Sequence, residues 1–550
     1  MMTETRRAAA IKSNAWGRWL AAIVLVAFAA AAPVAAVVAG AIAAGIGEAQ
    51  THLFSSTGFS YLGGTIFLCL LAGAGAAVIG AVAAMLISLT EFPGRRLLAV
   101  ALALPFAIPA YVAAYAYGDL FGPFSALAGF FGASALPDIR SLPGAAFILM
   151  LTTYPYVYLA MTASLSARST SFIETARTLG ASPLSASLRV LLVASRPAFY
   201  GGLALALMEI AADYGVADFF GVQTLSVGIF RTWYGMGDLP AAMQIAAGLF
   251  LVALLLVLME SASRKGRVSE DTRAHRACRR IKLSTPHSAG AVFFCLLPVL
   301  FGFAAPVSVL LAKLGPQMSP RAAETLAHAG ANTALVALVG AGVAVGLALL
   351  LAYGARNTHG RAGKLLLRAA TLGYAVPGAV MAIGVLALSA AVARATGHAV
   401  AGGVAILLYA YVARFLTAGY NAAAGGLAQI SPQMDAAAKM LGAAPARIVA
   451  SVHWPMARTS LIAGAAIVAI DIAKELPATL ILRPFNFETL STQIYRLASD
   501  ERLGEAAPAA LILIALGLLP ALSLSLIADG ANKKARKPET LAGLEAQTSA

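Results

Sequence analysis

Four carboxylates stand where a charge is costly. Glu209 and Asp213 lie midway along one apolar stretch, and Asp471 and Glu475 midway along another. Within each pair the spacing is i, i+4, so both members share one face of a helix. An ionised side chain at bilayer depth costs on the order of 3 kcal/mol or more unless it is paired or wet. Both faces should therefore turn inward, into a bundle. Oxygen ligands suit a hard cation such as Fe³⁺, and four of them from two related helices would line or gate a pathway. The competing reading is structural: pairing with Lys474, or hydrogen bonds to neighbouring helices and to backbone loosened by Gly215 and Pro477. Tight chelation is not expected of a pathway, because conduction needs release as well as entry. No metal ligand set is assigned.

The two pairs are copies of one another. At an offset of 262 residues Glu209 falls on Asp471 and Asp213 on Glu475. The same offset superposes two polar loops, SFIETARTLGASPLSASLRVLLVASRPA (171–198) and SPQMDAAAKMLGAAPARIVASVHWPMART (431–459). Gly180 then falls on Gly442, Ala176 on Ala438, Pro183 on Pro445 and Arg196 on Arg458. Ser171 and Glu174 make a capping box, Gly180 supplies a left-handed stop, and Pro183 prevents continuation. In the second copy Ser431 caps, Pro432 takes the first helical position, and Gly442 and Pro445 end the helix. Each loop is thus predicted to hold a short helix outside the membrane. Its small alanines let another protein approach the backbone. Two such elements imply two copies of a docking partner.

These features need a frame of membrane helices. Hydrophobic residues make up 60% of the 550 positions and charged residues 11%, with a mean hydropathy of +0.81. That balance excludes a soluble protein and predicts an all-α, polytopic membrane protein. Stretches of roughly 20 residues, enough to cross about 30 Å of hydrocarbon, fall near 20–46, 65–89, 97–117, 144–167, 199–220 and 241–260. The second half supplies 291–314, 333–353, 365–391, 403–420, 461–482 and 507–527. The first is too long for a signal-peptide core and reads as a retained anchor. PFAIPAYVAAYA from Pro105 lies over GYAVPGAVMAIG from Gly373, with Pro109 on Pro377. An even number of spans separates the copies, so the repeat is parallel, about six helices and six helices.

Charge sets the orientation and explains the net +15 without nucleic acid. Residues 261–287 carry eight Lys and Arg, whereas 47–64 carry none and 119–143 only Arg140. The positive-inside rule then puts both termini in the cytoplasm. The expected domains are a cytoplasmic segment 1–18, a first permease half 19–260 with a core of about 61–260, and a solvated basic linker 261–288. A second half 289–528 comes next, with a core of about 330–528, and then a cytoplasmic tail 529–550. Cys69, Cys278 and Cys295 lack metal or redox spacing. Tyr154, Tyr156 and Tyr158 around Pro155 read as a kink with packing. There is no GxxxxGK[ST] loop for nucleotide and no HExxH or GxSxG for hydrolysis.

The duplicated loops resemble the EAA loop of binding-protein-dependent ABC importers. Glu174, Ala176 and Gly180 match that pattern in the first copy. In the second, Ala437, Ala438, Gly442 and the later Pro455 match, while Ala436 takes the glutamate's place and Asp435 stands one residue earlier. Val193 replaces the proline in the first copy. The run DIAKELPATLILRPFNFETLSTQIY (471–495) is similar to the ferric-iron permeases of this superfamily, and ALMEIAADYGVADFFG (206–221) to iron and thiamine permeases. The resemblance implies a fused-dimer permease in a bacterial inner membrane, multi-pass, carrying ferric iron. Thiamine, polyamines, phosphonates and sulfate are the alternatives. It implies as partners two copies of an ATPase subunit, which would hold the ATP and Mg²⁺, and a periplasmic binding protein. It also implies that the chain binds no cofactor of its own. The rival from another class is an ion-coupled secondary transporter, which has no use for two capped loop helices.

Overall fold

The computed structural model describes residues 2–45, 56–166, 183–264, 280–315, 318–357, 367–368, 370–371, 373–398 and 403–519. The described residues are helical almost throughout, as the composition requires. Among the described residues eight helices are long and apolar enough to cross a membrane. A ninth counts if the bent pair Arg95–Ala107 and Ala110–Leu120 is one span. The remaining three of the twelve expected spans are present as helices of another character. Residues 199–220 are divided between Pro183–Ala212 and Gly215–Phe219. Val404–Ala428 carries Arg414, Asn421 and three tyrosines among its apolar residues. The last, Leu503–Leu519, is a shorter apolar helix up to the end of the described residues.

Two kinds of break recur at matching places in the two halves. A 3₁₀ turn, Leu104–Ala107, precedes Pro109 and the helix that opens at Ala110; Gly373–Ala375 precedes Pro377 and Gly378–Thr396. Proline enforces this, because its missing N–H and its ring cannot continue the incoming helix. Further on, Pro183–Ala212 stops and Gly215–Phe219 begins, just as Trp454–Lys474 stops and Pro477–Leu482 begins. Tyr214 and Leu476 between them have nearly the same backbone angles, φ −109° and −106°.

One compact unit comprises Met1–Gly58, Gly228–Phe250 and Met318–Gln493. At its centre Pro320–Asn357, Val404–Ala428 and Trp454–Lys474 each pack on the other two. Buried Ala344, Ala348, Ala423 and Ala457 let their backbones approach, as membrane helices do in place of a hydrophobic drive. The N-terminal helix Met2–Ala43 packs on Gly378–Thr396, and Tyr409 donates its hydroxyl proton to the Ala29 carbonyl at 2.7 Å. The first expected span thus packs with helices of the second sequence half.

The other unit comprises Phe59–Val227, Leu251–Gln317 and Ile494–Ala550. Its core gathers Ala83, Ile87, Leu98, Leu102, Tyr154, Tyr158, Met161 and Cys295. Tyr154 and Tyr158, four residues apart and on one helix face, donate to the carbonyls of Leu102 and Ala99 at 2.7 and 2.8 Å. Tyr156 meets Phe106 edge-on with centroids 5.1 Å apart, so this tyrosine cluster packs the core. Two-residue strands Thr90–Glu91 and Ile281–Lys282 pair in parallel, and Glu91 faces Arg95 and Arg280 at 3.5 and 3.8 Å. The end of the basic linker, expected as a solvated connector, is therefore clipped to a neighbouring turn. Its residues 265–279, with Cys278, lie outside the described residues, as does the tail beyond 519.

Candidate functional site

The second polar loop folds around its own punctuation. Ser431 accepts the N–H of Gln433 at 3.3 Å, Pro432 opens the helix Pro432–Met440, and Gly442 stands at φ +84°. The N–H of Ala443 reaches the carbonyl of Ala438, and that of Gly442 the carbonyl of Lys439, both at 3.0 Å. These two bonds are the Schellman pattern, which needs a left-handed residue at the position Gly442 fills. Pro445 then opens the next short helix.

One charged cluster holds this helix down. Asp435 is buried, and its carboxylate meets the Arg356 Nε at 2.9 Å and the His453 Nε2 at 2.6 Å. Arg356, from the last turn of Pro320–Asn357, also donates to the carbonyls of Leu427 and Ile430. It thereby ties the end of one long helix and the end of Val404–Ala428 to the loop helix. His453 is fully buried, with its ring edge-to-face on Tyr353 at 4.9 Å. Charge-assisted bonds of this kind are short and strong, and breaking one leaves a costly buried charge. The opposite face of the helix is open: Pro432, Gln433, Met434, Ala436 and Ala437 are exposed, and Met440 and Leu441 are each 88% exposed. Ala438 is half-buried, and Pro455 lies exposed at the start of Trp454–Lys474.

Asp435, which stands one residue before the position of the motif's glutamate, therefore points inward. Arg356 and His453 are invisible to motif reading, since they lie 79 and 18 residues away and no spacing links them to Asp435. The equivalent first-copy residues Glu174, Ala176 and Gly180 lie outside the described residues. Of that loop the structure describes Pro183, which opens its helix as Pro445 does.

The midspan carboxylates sit at the breaks. Asp213 accepts the N–H groups of Val216 and Ala217 through one oxygen, at 2.9 and 3.3 Å. Glu475 accepts the N–H of Ala478 at 3.0 Å. Each carboxylate thus satisfies backbone donors that the interrupted helix leaves open, which hydrocarbon would otherwise penalise. Glu475 is buried and ion-paired with Arg414. The site is tight: a Cβ on Gly378 would collide with a Glu475 carboxylate oxygen. The Glu475 carbonyl accepts from Thr479 and Ser491, at 2.6 and 2.9 Å. Glu209 is exposed and Asp471 half-buried, each one turn before its break. Glu209 and Asp213 belong to one unit, Asp471 and Glu475 to the other. Among the described residues no group of three or more His, Cys, Asp or Glu side chains is placed to hold a metal ion.

Known proteins place this architecture. Residues 342–537 match the family described as binding-protein-dependent transport system inner membrane component. The chain is similar to the Fe(3+)-transport system permease protein FbpB 2 of Haemophilus influenzae, 24% identical over 510 residues, covering 90% of this chain and 96% of that protein. It is 30% identical over 190 residues to the sulfate transport system permease protein CysT of Salmonella typhimurium, covering 33% of this chain and 67% of that one. The putative 2-aminoethylphosphonate transport system permease protein PhnU of Salmonella typhimurium is 26% identical over 191 residues, with 33% and 67% covered.

Proposed function

We propose a function from one premise: this chain belongs to the family of inner membrane components of binding-protein-dependent transport systems. It is a multi-pass permease subunit, and we infer that its cargo is ferric iron. The observation that carries the substrate is extent. Likeness to the Fe(3+) permease runs through both halves of the chain, whereas likeness to the sulfate and phosphonate permeases covers about a third of it.

One chain then supplies both halves of the pore. Two ATPase subunits dock on the two cytoplasmic loops, one on each, and a periplasmic protein delivers the iron. ATP and Mg²⁺ bind on those ATPases, and this chain performs no hydrolysis. The exposed Met440–Leu441 end and the alanine face of Pro432–Met440 suit a protein surface. The Asp435–Arg356–His453 cluster suits a mount, since it joins that helix to the ends of two long ones. Closing of the ATPases would push on Pro432–Met440, and the cluster would carry the push into Pro320–Asn357 and Val404–Ala428. Asp213 and Glu475 hold the broken spans in shape.

Vesicles holding this chain, its ATPase subunits and the loaded binding protein test the substrate. With ATP they should accumulate labelled ferric iron, and excess sulfate, thiamine, 2-aminoethylphosphonate or spermidine should not compete. Accumulation of one of those four in place of iron would overturn the substrate.

A further inference from the structure

A second group of oxygen donors lies just outward of the break at Asp213, on the orientation that the basic segments assign. Tyr495 donates its hydroxyl proton to the Asp218 carboxylate at 2.7 Å. The Tyr214 hydroxyl lies 2.9 Å from that of Tyr495, and with the Tyr495 proton committed to Asp218, Tyr214 is the donor. Three stretches of sequence meet here: the break itself, the short helix Gly215–Phe219 and the helix Leu490–Ser499. The fourth contributor is Tyr115 from Ala110–Leu120. Its ring packs edge-on against Phe219, with centroids 4.6 Å apart. Tyr115 is 2% exposed, and its hydroxyl has no hydrogen-bond partner among the described residues. That hydroxyl lies within electrostatic reach of Tyr495, Tyr111, Asp218 and Asp213.

A buried hydroxyl without a partner costs about 1–3 kcal/mol, so native structures seldom keep one unless something else uses it. The groups that act on it are oxygen donors: two carboxylates and the phenols of Tyr111 and Tyr495; the Arg140 guanidinium lies over the Phe219 ring, 4.9 Å from its centroid. Phenol and carboxylate oxygens are hard donors, and they discriminate in favour of small, highly charged cations.

We propose that Tyr115, Asp218, Tyr495 and Tyr214 form a transient binding station for a trivalent hard cation, ferric iron, on the outward side of the pathway; the proposal rests on the substrate reading above. Binding forms Fe–O bonds to the Asp218 carboxylate and to one or more phenol oxygens. Each coordinated phenol gives up its O–H bond, and the proton passes to solvent; iron remains ferric. The Tyr495–Asp218 hydrogen bond keeps both donors in place while the station is empty. Uptake of the proton on departure of the iron restores it, so binding is reversible without a redox partner. Asp213 adds charge beside the station while its oxygen stays engaged by the Val216 and Ala217 N–H groups.

The test uses the full chain in complex with its ATPase subunits, titrated with ferric citrate. Iron bound to phenolate absorbs visible light by charge transfer, a signal that a merely structural hydroxyl would not produce. The complex should develop this band and retain iron after desalting. Tyr115→Phe, Tyr495→Phe and Asp218→Asn should each weaken apparent affinity about ten-fold or more. Tyr115→Phe removes a hydroxyl that holds nothing in the empty protein, so folding should be spared. Tyr154→Phe, which alters a tyrosine bonded to the Leu102 carbonyl in the other packed cluster, should leave the band unchanged. An absent band, or one that none of the three variants alters, overturns the station. If such a complex still imports iron with ATP, the station alone is refuted. If it imports another substrate and no iron, the substrate reading falls and the station with it.

Discussion

Arg414→Met should destabilise the protein by about 3–5 kcal/mol, the usual cost of stripping one partner from a buried ion pair. Glu475 is 6% exposed and has Arg414 as its ion-pair partner. One of its oxygens is already committed to the Ala478 N–H at the break, so the carboxylate cannot turn toward water without opening the start of Pro477–Leu482. Its neighbourhood has no slack either, given how close Gly378 lies. Thermal unfolding in detergent should show the loss. Arg414→Met combined with Glu475→Gln should recover most of it, because glutamine keeps a carbonyl oxygen for Ala478 and carries no charge. A double variant no more stable than Arg414→Met would show that the arginine acts through something other than Glu475. The first half offers a comparison. Thr152 stands at the position equivalent to Arg414 by the 262-residue offset, so Asp213 has to be stabilised by backbone N–H groups.

Asp435→Ala should cost about 3 kcal/mol and uncouple the permease from its ATPases. The carboxylate is shared by Arg356 and His453, and a hydrogen bond to a charged group is worth about 1.5–3 kcal/mol. The loss is tempered because Arg356 keeps the Leu427 and Ile430 carbonyls. The larger effect should be mechanical. The helix Pro432–Met440 retains its cap at Ser431 and its stop at Gly442, so it should still form, but it would lose its buried tie to Arg356 and His453. ATPase pull-down should weaken and ATP-driven uptake should fall about ten-fold or more. Asp435→Asn, which keeps the shape and loses the charge, should fall between. Undiminished ATPase association and uptake in Asp435→Ala would remove this helix from the coupling path.

The frame of this protein is written in its hydrophobic stretches, because membrane helices must satisfy their backbone internally and so announce themselves by length and composition. The loop helix is equally legible: Ser431, Pro432, Gly442 and Pro445 act on their immediate neighbours, and the structure puts each where its local chemistry requires. Long-range pairing is not legible. Glu475 can be placed midspan from sequence, but nothing in the sequence marks Arg414, 61 residues earlier, as its ion-pair partner. Asp435 is paired with Arg356 and His453, 79 and 18 residues away, and no spacing in the sequence marks either as its partner. The breaks are half-signalled. Pro109, Pro377 and Pro477 forecast interruption, but Asp213–Tyr214 breaks without a proline, where the carboxylate itself can cap the next short helix. Tyr115 and Tyr495, 380 residues apart, give no sequence sign of meeting near Asp218.

The central claim is that transport through this chain is driven by separate ATPases rather than by an ion gradient, and one measurement divides the two. Vesicles containing the chain alone, with proton and sodium gradients imposed, should take up no iron. Adding the ATPase subunits, the loaded binding protein and ATP should start uptake, and an ionophore that collapses both gradients should leave the rate unchanged. Uptake by the chain alone under a gradient, abolished by the ionophore, would contradict the account.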